Sequence, residues 1–262
     1  GGVRHIGHSF FNLSSLIDPS TTIPPVSQPV PLPPRPTWPT WIEILLCSGY
    51  PTQIAVGQLL IAVGVQPLRP DGSLSSTFVF LLSMADAVLL VGLIVAFLLR
   101  RGERPAAVFF GRRWPPGEIR AGILSVPFVI GVMIALLLAV RRFAPSLHNV
   151  PDNPLEAMMG TGISVWMFLA VVIVAGGVRE ELQRAFLLHR FRDDLGQPWM
   201  GLFITSLAFG MGHTLQGFDA AIVTGTLGAI WGAMYLARRS AIAGMVSHTL
   251  FNTAEVLRAL LT

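Results

Sequence analysis

Six polar residues in the second half of the chain have types and spacings suited to acid–base chemistry. They are Glu180, Glu181, Arg184, His213, His248 and Asn252. A carboxylate and a histidine together can activate water as a general base. A second histidine and an asparagine can donate hydrogen bonds to a developing oxyanion. Hydrolysis is therefore one chemistry that this set of residues could perform.

The spacing within each segment is one helical turn, and residues four apart lie on one helix face. The pairs with this spacing are Glu180 and Arg184, Phe209 and His213, and His248 and Asn252. A Glu180–Arg184 ion pair would neutralise charge and leave Glu181, about 100° around the helix, as a second carboxylate. With a rise of 1.5 Å per residue, Glu180, His213 and His248 lie roughly 18, 22 and 13 Å from one membrane face.

Each polar residue also has a plainer explanation when it is taken alone. An intramembrane histidine often completes a structural hydrogen bond, and Glu180–Arg184 could be a buried structural ion pair. Asp86 is interpreted as a structural polar contact or a pore-facing residue, and His189 as an interfacial residue. It is the combination of three segments that favours a functional site, because ionisable groups inside a bilayer are rare and expensive.

The surrounding sequence predicts helices that cross a membrane. Apolar residues make up 52% of the 262 residues, charged residues only 12%, and the mean hydropathy is +0.64. A soluble domain carries about 25% charged residues, so most of this chain cannot face water. The expected fold is an all-α polytopic bundle of roughly seven to eight transmembrane helices in residues 41–262.

Seven apolar runs support that count, and a short amphipathic piece at 104–120 could supply an eighth helix. The runs cover 42–65, 78–99, 123–140, 163–178, 199–211, 220–236 and 242–261, and Pro51 interrupts the first of them. Glycines at 225, 228 and 232 share one side of the sixth run, which favours close helix packing in lipid. The fourth helix is expected to continue through Gly176-Gly177 to about Arg192, because apolar residues resume immediately after Arg184.

The remaining features concern the tail, the charge and the membrane. Residues 1–40 hold nine of the 20 prolines and are expected to form a disordered or interfacial tail.

The net charge of +4 does not indicate nucleic-acid binding, because the arginines fall in short groups between apolar runs. Their distribution predicts a cytoplasmic N-terminus, with the loops after the second, fourth and sixth runs on the same side, in a bacterial inner membrane. Cys47 is the single cysteine and is expected to be a packed apolar residue.

The three motifs resemble those of the CPBP (Abi) family, which includes the type II CAAX prenyl endopeptidases. The resemblance covers about residues 160–255. The second and third motifs match in full. In the first motif the family has three residues between the glutamates and the arginine, whereas only Leu182 and Gln183 stand there in this chain. Glu180 is therefore favoured as the water-activating glutamate, with Glu181 as the alternative.

The resemblance implies an intramembrane endopeptidase acting on prenylated (CAAX-type) or bacteriocin-like peptides. In that family a glutamate and a histidine activate water, and the second histidine and the asparagine stabilise the oxyanion. Two histidines and a glutamate could also bind zinc, in which case the ligands would be Glu180, His213 and His248. The sequence contains no helical His-Glu-x-x-His motif, so a bound metal stays an open alternative. Peptide or lipidated peptide and the bilayer are the expected partners.

Two functions of other classes remain possible from the sequence. An ion-coupled transporter could use Asp86, Glu180 and His213 as an ion path, although the sequence shows no inverted repeat of the kind many transporters have. A non-catalytic membrane scaffold or immunity protein is also compatible with the irregular first motif.

Overall fold

The computed structural model describes residues 37–113, 115–151, 154 and 165–261. Within these residues the chain is helical and contains no β-strand. The predicted proline-rich tail lies outside the described residues, except at its C-terminal end. There the first helix begins, at Trp38. Proline is well tolerated in the first turn of a helix, which is where Pro39 lies.

The helices are numbered here in chain order. They are α1 (Trp38–Leu46), α2 (Tyr50–Ala62), α3 (Ser76–Arg100), α4 (Pro105–Phe109), α5 (Pro115–Phe143), α6 (165–194), α7 (Pro198–Met211), α8 (Phe218–Arg238) and α9 (Ile242–Leu261). Short 3₁₀ turns lie at Pro145–Leu147 and Thr214–Gln216.

Helix α6 is one unbroken run made of four segments. Val165–Val171 and Glu180–His189 are α-helical, whereas Val172–Arg179 and Arg190–Asp194 are π-helical. The backbone stays in the right-handed helical region where the segments join, with φ −68° and ψ −34° at Glu180. The predicted continuation of this helix through Gly176-Gly177 is confirmed, and its end lies two residues beyond the predicted Arg192.

Three of the described helices are long and apolar enough to cross a membrane, namely α3, α5 and α8. Helices α1 and α2 would supply a fourth span if they are counted together, although they bend by 44° at their junction. These spans make the chain an integral membrane protein, but the predicted number of seven to eight is not confirmed in the described residues. Helix α7 has only 14 residues, and the charged stretch 179–184 lies within α6.

Two local predictions for the N-terminal half need correction. The amphipathic piece predicted at 104–120 does not form one helix, because only Pro105–Phe109 is a separate helix and α5 begins at Pro115. The first apolar run does break as predicted near Pro51, but the bend itself lies at Gly49. Gly49 has a φ of 91°, a left-handed conformation that favours glycine.

The packing brings α6, α7, α8 and α9 together. Helix α8 packs along α7, and α9 packs between α5 and the π-helical part of α6. The glycine-lined side of α8 lies in this contact as predicted, since a Cβ atom on Gly232 would lie 2.5 Å from the side chain of Leu202. Close approach of this kind maximises van der Waals contact between helices.

Ion pairs join the arginine-rich loops at one end of the molecule. Arg101 contacts Asp194 at 2.6 Å, and Arg239 contacts Asp193 at 2.6 Å. The fully buried Arg190 also pairs with the loop between α3 and α4. The loops therefore lie together, as their predicted location on one side of the membrane requires.

Candidate active site

The site begins at the π-helical turn of α6, where two adjacent glycines allow α9 to approach closely. A Cβ atom on Gly176 would lie 2.6 Å from Nδ2 of Asn252, and one on Gly177 would overlap the side chain of Thr249. A π-helical turn holds one more residue than an α-helical turn and is often found at functional sites. Because of this close contact, the first turn after the glycines faces α9 directly, and that turn contains Glu180 and Glu181.

Glu181 is the buried member of the glutamate pair, with only 2% of its surface exposed. Its Oε1 accepts hydrogen bonds from Arg184 Nη1 and from His248 Nδ1, the latter at 2.9 Å. Its other oxygen lies against Gly244, where a Cβ atom would be 2.7 Å away. The expectation that Arg184 bonds a glutamate is confirmed, but the partner is Glu181 and not the predicted Glu180.

His248 is buried and held from several directions. Its ring stacks on the Trp231 indole at a centroid distance of 3.9 Å and an angle of 17°. The edge of Phe209 approaches from another side, with centroids 6.1 Å apart. Because Nδ1 is bonded to Glu181, the opposite nitrogen, Nε2, faces Glu180, and it lies 3.8 Å from Oε2 of that residue.

Glu180 lines a cavity of about 240 Å³ between α6, α7 and the bend that joins α1 to α2. The other residues of chemical interest on its wall are Arg184, His213, Gln183, Tyr50 and Gln53. The Glu180 side chain is 18% exposed. Glu180 and its neighbour Glu181 thus have different environments: Glu180 faces an open space and Glu181 is enclosed by protein.

His213 lies just after α7, in the turn that leads to Thr214–Gln216, and it is half-buried on the cavity wall. Its Nδ1 is 2.8 Å from the carbonyl oxygen of Phe209. A carbonyl oxygen only accepts, so Nδ1 carries the proton and Nε2 is left as the acceptor of the neutral ring. The sequence predicted that Phe209 and His213 share a helix face, but α7 ends at Met211, and His213 reaches the Phe209 carbonyl from the turn that follows. This hydrogen bond fixes the tautomer of the neutral ring.

Asn252 takes a different position from the one expected of an oxyanion donor. Its Nδ2 donates to the carbonyl of Val172 at 3.4 Å, and it is not among the residues that line the cavity. The structure therefore places Glu180, Arg184 and His213 around the same cavity, and His248 lies behind Glu180, outside the cavity lining. Asn252 lies against the π-helical turn instead.

Two residues near the site were not assigned a role from the sequence. Arg179 forms a buried ion pair with Asp86 of α3, and its Nη1 lies 4.0 Å from Glu180 Oε1. The interpretation of Asp86 as a structural polar contact is thereby confirmed. Trp231 was not assigned a role either, because an aromatic residue in an apolar run usually belongs to the hydrophobic core. The position of Arg179 directly before the two glutamates could have drawn attention to it.

The alternative of a zinc site does not fit the described residues. Among them, no group of three histidine, cysteine, aspartate or glutamate side chains is arranged to hold a metal ion. Nδ1 of His248 is bonded to Glu181 and Nδ1 of His213 to a backbone carbonyl, so only Nε2 of each ring is left to bind a ligand. Glu180, His213 and His248 are all described residues, and their arrangement gives no support to a zinc site.

Comparison with known proteins supports the motif-based interpretation. No curated protein and no solved structure gives a significant match to the chain. A family model described as type II CAAX prenyl endopeptidase Rce1-like does match, over about a third of the chain. That match covers residues 161–254 and includes all three motifs, so the family resemblance predicted from the sequence is confirmed as that of an Rce1-like CAAX prenyl endopeptidase.

Proposed function

We propose that the chain is an intramembrane endopeptidase in which Glu180 and His213 activate the attacking water. The observation that carries the proposal is that both side chains line the same cavity, with His248 Nε2 3.8 Å from the Glu180 carboxylate. The protease character of the Rce1-like family supports the reaction class.

The proposed reaction uses a water bound between the Glu180 carboxylate and Nε2 of His213. Glu180 takes a proton from this water while the water oxygen bonds to the carbonyl carbon of the peptide. The C–N bond then breaks, and the proton on Glu180 passes to the leaving nitrogen. General acid–base assistance of this kind contributes roughly 10²–10⁴-fold to a rate.

His248 is proposed to support the reaction from behind Glu180. Its Nδ1 is bonded to Glu181 and its Nε2 lies 3.8 Å from the Glu180 carboxylate, whereas its ring does not line the cavity. Arg184 contributes a positive charge beside Glu181. Asn252 could donate to the oxyanion only after breaking its hydrogen bond to Val172, so we assign it a supporting role.

A prenylated peptide is the proposed substrate, and an apolar groove supports this choice. The groove has a volume of about 560 Å³ and runs between α7 and α8, on the face of α7 opposite to the cavity. Its walls include Phe203, Leu207, Met211 and Phe218, and Thr214, which directly follows His213, lines it as well. An isoprenoid chain lying in this groove would bring its attached peptide to the turn that carries His213.

The test is a cleavage assay with matched prenylated and plain peptides in detergent or nanodiscs. Glu180→Gln and His213→Gln should each lower kcat by at least about 10²-fold, with folding retained. Glu255→Gln, a carboxylate on α9 that pairs with Arg258, is the matched control and should cleave normally. A wild-type protein that cleaves neither peptide, or a Glu180→Gln variant that cleaves at the wild-type rate, would contradict the proposal.

The same assay separates the alternatives. An ion-coupled transporter predicts altered ion flux and no peptide product, and a scaffold predicts neither effect. The transporter is disfavoured by the closed ion pair between Asp86 and Arg179, which leaves Asp86 only 2% exposed.

A further inference from the structure

We propose that Trp231 is a positioning residue for His248, and that Ser247 and Ser125 fix the orientation of its indole. This inference rests on the proposed role of His248 in peptide cleavage. It concerns residues outside the three motifs, since Trp231 lies on α8 and Ser125 on α5.

The first support is the geometry of the ring contact. The His248 and Trp231 rings are nearly parallel, at an angle of 17°, and their centroids are 3.9 Å apart. Trp231 is 1% exposed and His248 is 4% exposed, so neither ring can turn without displacing its neighbours. A flat aromatic surface restricts the imidazole to one plane, whereas the hydrogen bond to Glu181 sets its rotation within that plane.

The second support is a hydrogen-bond chain that holds the indole itself. Trp231 Nε1 donates to Ser247 Oγ at 3.1 Å, and the hydroxyls of Ser247 and Ser125 are hydrogen-bonded at 2.9 Å. Ser125 Oγ also lies 2.7 Å from the carbonyl of Gly122, which can only accept. Each hydroxyl carries one proton, so the hydrogen bonds all point in one direction. They run from the indole N–H through Ser247 and Ser125 to the Gly122 carbonyl.

The third support is the close packing of α5 against α9, which brings the hydrogen-bonded serines together. A Cβ atom on Gly122 would lie 2.7 Å from the carbonyl oxygen of Ala243, so glycine lets α5 approach α9 at this level. Ser247 directly precedes His248 in α9 and has no exposed surface. The indole is therefore tied to the same helical turn that carries the histidine, and the two rings keep their relative position.

The expected consequence concerns the turnover rate and not substrate binding. None of Trp231, Ser247 and His248 lies on the cavity wall, so a change in the indole should alter kcat through His248 while KM stays within about twofold. A misplacement of about 1 Å in a catalytic group can lower a rate by roughly 10²-fold. Trp231→Leu should therefore lower kcat by about 10–100-fold. Trp231→Phe keeps a flat ring and should recover most of that loss.

The variants are measured on purified, folded protein with the prenylated peptide. Ser247→Ala removes the acceptor of the indole N–H and should lower kcat by a smaller factor than Trp231→Leu. Trp199→Leu replaces an indole that is 73% exposed at the start of α7 and serves as the matched control. Folded Trp231→Leu protein with a kcat within twofold of wild type would overturn the proposal, as would a Trp231→Phe variant no better than Trp231→Leu.

A second measurement does not depend on activity and separates this proposal from the proposed function. The ring nitrogens of ¹⁵N-histidine-labelled protein are observed by NMR, and the His248 signals are assigned with a His248→Gln variant. Wild type and Trp231→Phe should show the single tautomer that donates from Nδ1, whereas Trp231→Leu should show a mixture or broadening. An unchanged His248 spectrum in Trp231→Leu refutes the positioning role, whether or not the wild-type protein cleaves peptides.

Discussion

The neighbouring carboxylates Glu180 and Glu181 should respond in opposite ways to the same substitution. Glu181 is 2% exposed and bonded to both Arg184 and His248, whereas Glu180 faces the cavity and is 18% exposed. Glutamine preserves the shape of either side chain and removes only its charge. Glu181→Gln should therefore reduce stability, and Glu180→Gln should reduce activity.

The magnitudes follow from burial and from the remaining partners. Glu181→Gln leaves the Arg184 guanidinium, which is 5% exposed, without its carboxylate. Breaking a buried ion pair in this way costs about 3–5 kcal/mol. At roughly 2–4 °C per kcal/mol, the midpoint of thermal unfolding should fall by about 6–20 °C. The cation nearest to Glu180 is Arg179, 4.0 Å away and already paired with Asp86, so Glu180→Gln should cost about 1 kcal/mol or less.

Thermal unfolding in detergent and peptide cleavage are measured on the same preparations. Glu180→Gln should unfold close to the wild-type midpoint and lose at least about 10²-fold in kcat. Glu255→Gln controls for the loss of a carboxylate elsewhere on the bundle. The reasoning is refuted if Glu180→Gln lowers the midpoint as much as Glu181→Gln does, or if Glu181→Gln is as stable as wild type.

Three further outcomes are expected. Gly177→Val should lower folded yield, measured by size-exclusion chromatography, because any side chain there meets Thr249 of α9; a normal yield would mean that the two helices can separate. Burial raises the pKa of Glu103, in the loop after α3, but hydrogen bonds from His189 and Arg190 outweigh it and lower the pKa from 4.5 to about 2. The stability that this lowered pKa contributes is present above pH 4.5 and is lost as the pH falls towards 2. Between these pH values the thermal midpoint of wild type should therefore fall more steeply than that of Glu103→Gln. Equal slopes would contradict the lowered pKa of Glu103. A chelator should leave peptide cleavage unchanged, because the described residues offer no fitting metal site. If the chelator abolishes cleavage and zinc restores it, the proposed metal-free mechanism is wrong.

The sequence was informative where local patterns determine the structure. The absence of proline before Pro198 and the immediate return of apolar residues after Arg184 were enough to predict that α6 continues past Gly176-Gly177. The spacing of the motif residues was also enough to recognise the resemblance to the family whose model matches residues 161–254. The π-helical turn could not be predicted in the same way, because it depends on how closely α9 packs against the two glycines.

The partner of Arg184 shows the limit of spacing arguments. Residues three and four apart are both within reach on a helix, so the sequence alone permits either Glu180 or Glu181. The choice is made by the neighbouring helix, because His248 of α9 bonds the same oxygen of Glu181 that Arg184 contacts. A tertiary contact therefore decides which glutamate is structural, and no pattern within α6 contains that information.

The cavity wall combines two parts of the chain that differ in their relation to known proteins. Glu180, Arg184 and His213 lie within the segment that matches the Rce1-like family, residues 161–254. The opposite wall comes from the bend between α1 and α2, outside that segment. Two hydrogen bonds hold this bend in place: Tyr50 donates to the Ala208 carbonyl at 2.7 Å, and Gln183 donates to the Cys47 carbonyl at 3.0 Å.

It follows that the proposed chemistry and part of the proposed substrate site come from different parts of the chain. The groups that would activate water lie on α6 and just after α7, within the segment that matches the family model, and most of the proposed isoprenoid groove lies there as well. The polar side chains that would meet the rest of a peptide, Tyr50 and Gln53, belong to α2 and are not covered by the match. The match therefore supports the reaction class and does not describe what Tyr50 and Gln53 would add to substrate choice.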